Sequence, residues 1–194
     1  MHTLIIYCHP YQKSFNHAIL DAVQQSLSQS NLNYQTIDLY ADDFSPVYST
    51  EELKLYHSGQ TTDPLVEKYL KLLKTVHTVI IISPVWWNSV PGMLKGFIDK
   101  VMKEGENLSH TVTKLGVQGE LKNIKRCYLI TTSSSPTFYI RFFNGNGIKK
   151  IFLNQTLKQL GFQGRSWINF GMISTTTAEK REKFLKSMQL KKFE

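Results

Sequence analysis

The sequence predicts a doubly wound α/β domain in which five parallel strands, in the order 2-1-3-4-5, carry helices on both faces. Three observations carry that prediction. Val79-Ile80-Ile81-Ile82 is a continuous β-branched run, too short to cross a membrane and too uniform for a half-exposed strand, so it fits a strand buried on both faces. Strand-like runs alternate with segments of helical periodicity, the pattern of repeated right-handed strand–helix crossovers. At 194 residues, 41% hydrophobic and 20% charged, the chain suffices for one domain with a substantial core and no staples.

Thr3 to Cys8 supplies the first strand, His9 to Lys13 a turn, and Ser14 an N-cap for a helix from Phe15 to about Ser28. Ala18, Ile19, Ala22, Val23 and Leu27 form its apolar stripe. Tyr34 to Leu39 is the second strand. Tyr40 to Asp63 is polar and rich in turn residues, with a helical patch near Glu51 to His57, and reads as an excursion over the surface. Pro64 opens a helix through Leu65, Tyr69, Leu72 and Leu73 that leads into the third strand, His77 to Ser83. Pro84 then ends the ladder, two indoles and an amide fill a short turn, and Pro91 suits the first turn of a helix. That helix carries Met93, Leu94, Phe97, Ile98 and Val101 and ends near Glu104-Gly105. Gly105 to Asn123 has mixed polarity and little period. Arg126 to Thr132 is the fourth strand, followed by Ser133 to Thr137; Phe138 to Gly147 leads into a helix from Ile148 to Leu160, stopped by Gly161. Arg165 to Phe170 is the fifth strand and Thr177 to Lys192 the last helix. With no repeat, low-complexity run or linker, residues 1–194 read as a single domain.

The formal charge of +8 raises nucleic acid as a partner. The basic residues are scattered over helix faces, however, and no basic face is interleaved with aromatics, so nucleic acid is not expected. A general positive field would favour an anionic nucleotide such as NADPH, and only on that ground NADPH over NADH. No stretch resembles an integral membrane segment, and the amino terminus lacks a basic leader and a cleavage site, so a cytoplasmic location is expected. Cys8 and Cys127, each in or beside a predicted strand, read as reduced core thiols. Histidine and cysteine spacing offers no metal site.

In this topology the loops after the first, third and fourth strands converge at the carboxyl edge of the sheet, where strand order reverses and ligands bind. His9, Ser14, Phe15 and Asn16 stand at a helix start, where unpaired N–H groups and the helix dipole suit a phosphate. Neither a Gly-x-Gly-x-x-Gly nor a Walker signature is present. Val85, Trp86, Trp87 and Asn88 could line a flat ring, and Thr131, Thr132, Ser133 and Ser134 offer small hydroxyl donors. A phosphate grip, an aromatic wall and small donors on one rim are what flavin mononucleotide needs. Each has a plainer explanation: a capped helix, an indole pair covering core or a subunit contact, a serine-rich loop.

Leu4-Ile5-Ile6-Tyr7-Cys8-His9-Pro10 with Ser14-Phe15-Asn16, Asp38-Leu39-Tyr40 with Phe44 and Pro46, and Ser83-Pro84-Val85-Trp86-Trp87 with Val90-Pro91 and Leu94-Lys95-Gly96 resemble the flavodoxin-like NAD(P)H:quinone oxidoreductase family. Gly119 to Lys125 and Thr131-Thr132 continue the match, which covers most of residues 3–170. The resemblance implies a homodimeric two-electron flavoenzyme with FMN or FAD held by the three loops, NADPH or NADH as co-substrate, and a small aromatic acceptor. By position, His9, Ser14, Phe15 and Asn16 would hold the phosphate region and Pro84 to Asn88 the isoalloxazine, with Tyr139 matching a family tyrosine near the reacting face. The family's Thr-Thr-Gly-Gly reads Thr131-Thr132-Ser133-Ser134 here, and its histidine partner of the tyrosine falls near Gly145, so no Tyr–His proton relay is assigned. The alternative is a flavodoxin-like binding or regulatory subunit, for example ancillary to a transporter; a one-electron carrier ranks lower because the chain is basic.

Overall fold

The computed structural model describes residues 2–193. Five parallel strands form one sheet: β1 (His2–Tyr7), β2 (Asn33–Asp38), β3 (Thr78–Pro84), β6 (Arg126–Thr132) and β7 (Arg165–Phe170), in the order β2-β1-β3-β6-β7. This is the predicted 2-1-3-4-5 arrangement. Every residue of β3 is buried, as a central strand covered on both faces must be. Alternate side chains feed two cores. Ile5, Ile80, Ile82 and Ile130 pack with α1 (Phe15–Gln29) and Met188 of α6 (Ala178–Gln189). Leu4, Ile6, Val79, Ile81 and Leu129 pack with α3 (Pro64–Thr75), α4 (Gly92–Val101) and the segment Ile148–Leu157.

Register places the site. Tyr7 pairs with Ile82, and Pro84 pairs with Thr132, so the loops after β1, β3 and β6 leave the same edge within a residue or two of one another.

The excursion after β2 is anchored more firmly than its polarity suggests. It contains α2 (Thr50–Lys54) and a 3-10 turn at Tyr56–Ser58, and two lysines of the α4 region reach into it. Lys100 Nζ donates to Ser45 O at 2.7 Å and pairs with Asp63 at 3.0 Å. Lys103 Nζ pairs with the buried Glu52 at 3.2 Å. Gly96 is required by the same contact, since a Cβ there would stand 2.3 Å from Pro46 O.

Three details differ from the sequence reading. Residues within Gly105 to Asn123 form an antiparallel hairpin, β4 (His110–Thr113) and β5 (Gly116–Gly119), whose two four-residue strands are too short to show a period. Phe138 to Gly147 includes a short helix, α5 (Thr137–Phe142). Ile148–Leu157 is a π-helix; its buried Ile148, Phe152, Leu153 and Leu157 recur at the wider spacing of an i→i+5 winding. Cys8 and Cys127 are both buried, and burial pushes each thiol up to about 12, leaving them protonated at neutral pH. Among the described residues, no helix is long and apolar enough to cross a membrane, and no group of His, Cys, Asp and Glu is placed to hold a metal ion.

Candidate active site

Loop one (residues 8–14) ends in a true N-cap: Ser14 Oγ accepts the His17 N–H at 3.2 Å. The N–H groups of Phe15 and Asn16, in the first turn of a 15-residue helix, find no acceptor among the described residues. They form the electropositive end of the α1 dipole. His9 Nδ1 accepts the Tyr11 N–H at 3.1 Å, so the neutral ring carries its proton on Nε2. Burial lowers the His9 pKa below its ordinary 6.5, keeping the ring a neutral donor at pH 7.

Loop three (residues 85–91) is a tight hairpin. Trp86 and Ser89 exchange backbone hydrogen bonds of 3.0 Å in both directions, and the two residues between them are left-handed, Trp87 with φ 50° and Asn88 with φ 61°. That is the geometry of a two-residue I′ turn, a place for Asn-Gly rather than for tryptophan. Trp87 is 98% exposed and Trp86 44%. Asn88 Oδ1 accepts from Asn144 Nδ2 at 2.8 Å, fixing the turn from the side.

Loop four (residues 133–136) faces it across a hollow of about 470 Å³, with Trp86, Trp87 and Asn88 on one wall, Ser133, Ser134 and Ser135 on the other, and Val85 and Ile140 between them. The loops are tied together. Val85 N–H donates to Thr132 O at 2.7 Å, the His9 and Trp86 rings meet edge-on at 6.4 Å, and Asn16 Nδ2 donates to Thr132 Oγ1 at 2.9 Å. Asn16 is buried, and its Oδ1 has no partner among the described residues.

Not every expected side chain faces the hollow. Thr131 is fully buried beneath the rim, its hydroxyl held by Trp167 and Asn169. Ser133 turns its hydroxyl under the loop to Ser135 O at 2.8 Å, leaving Ser134 as the exposed serine of the pair. The Phe15 ring packs against Phe170 at 4.9 Å and Phe184 at 6.2 Å, so at the anion seat Phe15 offers its N–H alone. Tyr139 is exposed and stacked on Phe143 at 5.6 Å, one residue from Ile140 but outside the hollow's lining. Sequence reasoning missed Ile140, Asn144 and Asn169. For Asn169 a signal was available, since it stands at the carboxyl end of the fifth strand, on the same edge.

A planar ring bearing a phosphate tail fits these features. Unpaired N–H groups and a neutral imidazole suit the phosphate, the orphaned Asn16 Oδ1 suits a chain hydroxyl, and an indole-walled hollow suits the ring.

The family model described as flavodoxin-like fold matches residues 1–191. The chain belongs to the flavodoxin-like family. A Haemophilus influenzae protein named as an uncharacterized NAD(P)H oxidoreductase is 27% identical over 174 residues, 89% of this chain and 85% of that protein. Rat NAD(P)H dehydrogenase [quinone] 1 is 28% identical over 70% of this chain, which spans 55% of that protein's length. Among solved structures, Smu.1420 from Streptococcus mutans superimposes with a TM-score of 0.82 at 31% identity, covering 97% of each chain. Members of this flavodoxin-like set thus include proteins named for NAD(P)H oxidation and quinone reduction.

Proposed function

We propose that this flavodoxin-like chain is a flavin-dependent NAD(P)H oxidoreductase that passes two electrons to a quinone or similar aromatic acceptor. One observation carries the reading: the anion seat of α1 and the indole-walled hollow stand on one rim, stapled by the Asn16–Thr132 bond. His9, Ser14 and the Phe15 and Asn16 N–H groups would hold the phosphate. Val85, Trp86, Trp87 and Asn88 would seat the ring from one side, with Pro84 buried behind them at the end of β3, and Thr131, Thr132, Ser133 and Ser134 forming or backing the other.

When bound, the flavin supplies the two-electron redox chemistry. The residues would bind, orient and exclude water: His9 Nε2–H and the α1 N–H groups would donate hydrogen bonds to the phosphate, and the indoles would give an apolar wall. The Val85, Trp86, Ser89 and Ser133 N–H groups are taken up by backbone carbonyls, so the N–H groups of Trp87, Asn88 and Ser134 would be the ones left to meet charge that develops on the ring. Tyr139, held by its stack on Phe143, is the candidate to donate a hydrogen bond to the acceptor.

FMN needs only what the rim holds. FAD is the second reading, favoured by a groove of about 470 Å³ behind loop one, where Phe170 and Phe184 offer rings and Lys180 and Lys183 offer cations to a further phosphate and base. NADPH is preferred over NADH on the net charge of +8. A homodimer is supported by the β4–β5 hairpin, whose Val112, Leu115 and Val117 are exposed apolar side chains. A cytoplasmic location remains part of the proposal.

The test is a visible absorption spectrum of the purified protein with mass identification of any released chromophore, then NADPH oxidation with menadione as acceptor. Yellow, active protein is the expected result. Protein that stays colourless after FMN or FAD is added would overturn the reading in favour of an ancillary binding subunit.

A further inference from the structure

Beneath loop four lies a chain of hydrogen bonds whose direction is fixed by chemistry. Trp167 Nε1–H can only donate, and it donates to Thr131 Oγ1 at 2.8 Å. Thr131 gives its own proton to Asn169 Oδ1 at 2.7 Å, the orientation of the Asn169 amide in which both the oxygen and the NH2 find partners. The Asn169 Nδ2 protons then go to Ser133 Oγ at 2.9 Å and Thr137 Oγ1 at 2.8 Å. Ser133, receiving there, donates onward to Ser135 O at 2.8 Å. Thr137 in turn donates to Asn169 O at 3.4 Å, so every amide proton and side-chain hydroxyl in the series is used, and a fully satisfied network of this kind specifies one geometry.

We propose that Asn169 is a positioning residue that holds loop four in the shape flavin binding requires. The inference rests on the flavin reading above and deepens it. Asn169 touches nothing in the hollow; it acts through Ser133, which it turns inward, and through Thr137, which begins the helix carrying Tyr139 and Ile140. It also accounts for how a serine can stand at 133, where the resemblance leads to glycine. The side chain that would crowd a ring is drawn beneath the loop and leaves 4% of Ser133 exposed.

Asn169→Asp changes one NH2 to an oxygen of the same size. Ser133 and Thr137 must then reverse and donate to the carboxylate, and Ser133 releases the Ser135 carbonyl. FMN affinity, read at pH 7.5 by quenching of flavin fluorescence, should fall at least 10-fold, and riboflavin, which lacks the phosphate, should lose affinity by a similar factor because loop four would meet the ring. The melting temperature of the flavin-free protein separates this from plain destabilisation: a variant that melts within a few degrees of wild type yet binds more weakly has lost the shape of loop four and not the fold. Should the aspartate variant not fold, Ser133→Ala and Thr137→Val each remove one branch and should weaken FMN several-fold. Wild-type affinity in the folded variants would overturn the role of Asn169. Wild-type protein that binds neither FMN nor FAD would instead overturn the flavin reading, and this inference with it.

Discussion

Trp87 offers the sharpest test of the site because its energetics for folding and for binding have opposite signs. Its side chain is 98% exposed, so truncation removes almost no packing. Its φ of 50° costs a residue bearing a Cβ about 1 kcal/mol, which glycine does not incur. The greater chain entropy of glycine offsets roughly 0.5–1 kcal/mol of that gain. Trp87→Gly should therefore leave folding stability within about 1 kcal/mol of wild type. If the indole covers roughly 80 Å² of a bound ring, at ~25 cal/mol per Å² its loss weakens binding by about 2 kcal/mol. That is about 30-fold in Kd. Urea denaturation of the flavin-free protein and an FMN fluorescence titration, run on the same preparations, read the two quantities. Stability down by more than ~2 kcal/mol with Kd unchanged would make Trp87 a structural residue and refute the reasoning.

Glu52 predicts an acid transition. Against the desolvation that would raise it, the Thr62 N–H, the Thr61 and Thr62 hydroxyls and Lys103 pull its carboxyl from 4.5 down to about 2. The unfolded chain then binds the extra proton, so this stability is present above pH 4.5 and is lost as pH falls towards 2, about 3 kcal/mol in all. Glu52→Gln should flatten that part of the urea-midpoint profile and cost roughly 3–5 kcal/mol at pH 7 by stranding buried Lys103; parallel wild-type and variant profiles below pH 4.5 would sink the account. For the hairpin, Leu115→Asp places a charge on a fully exposed apolar tip and should convert a dimer to a monomer by light scattering, with unchanged mass telling against the hairpin as the contact.

The sheet was legible because its rules are local. An all-buried strand such as Val79 to Ile82 announces itself by composition, and Ser14 and Pro64 mark helix starts by capping chemistry. What escaped notice depends on partners distant in sequence. Gly96 is intelligible only once Pro46 lies against it, and nothing in the sequence distinguishes Lys100 and Lys103 from the other scattered lysines until Ser45, Asp63 and Glu52 surround them. The same holds at the rim. Residue types placed Thr131 to Ser134 near the site, but whether a hydroxyl faces the hollow or the core was decided by Asn169 and Trp167, more than thirty residues away.

These distant contacts also explain why an unfavourable turn can persist beside the hollow. The Trp-Trp turn is strung between β3, buried along its whole length, and α4, which Lys100 anchors to the excursion from Tyr40 to Asp63, with Lys103 as a second tie just beyond its end. Val85 is hydrogen-bonded to Thr132, and Asn88 is held from the side by Asn144. With both ends and one flank fixed, a few residues must reverse the chain, and left-handed conformations at Trp87 and Asn88 are how they do it. Backbone strain survives only where surrounding structure over-determines it. Here the ties run through Val85, Asn88 and α4 and none of them engages the Trp87 indole, which is left free to face solvent or a planar guest.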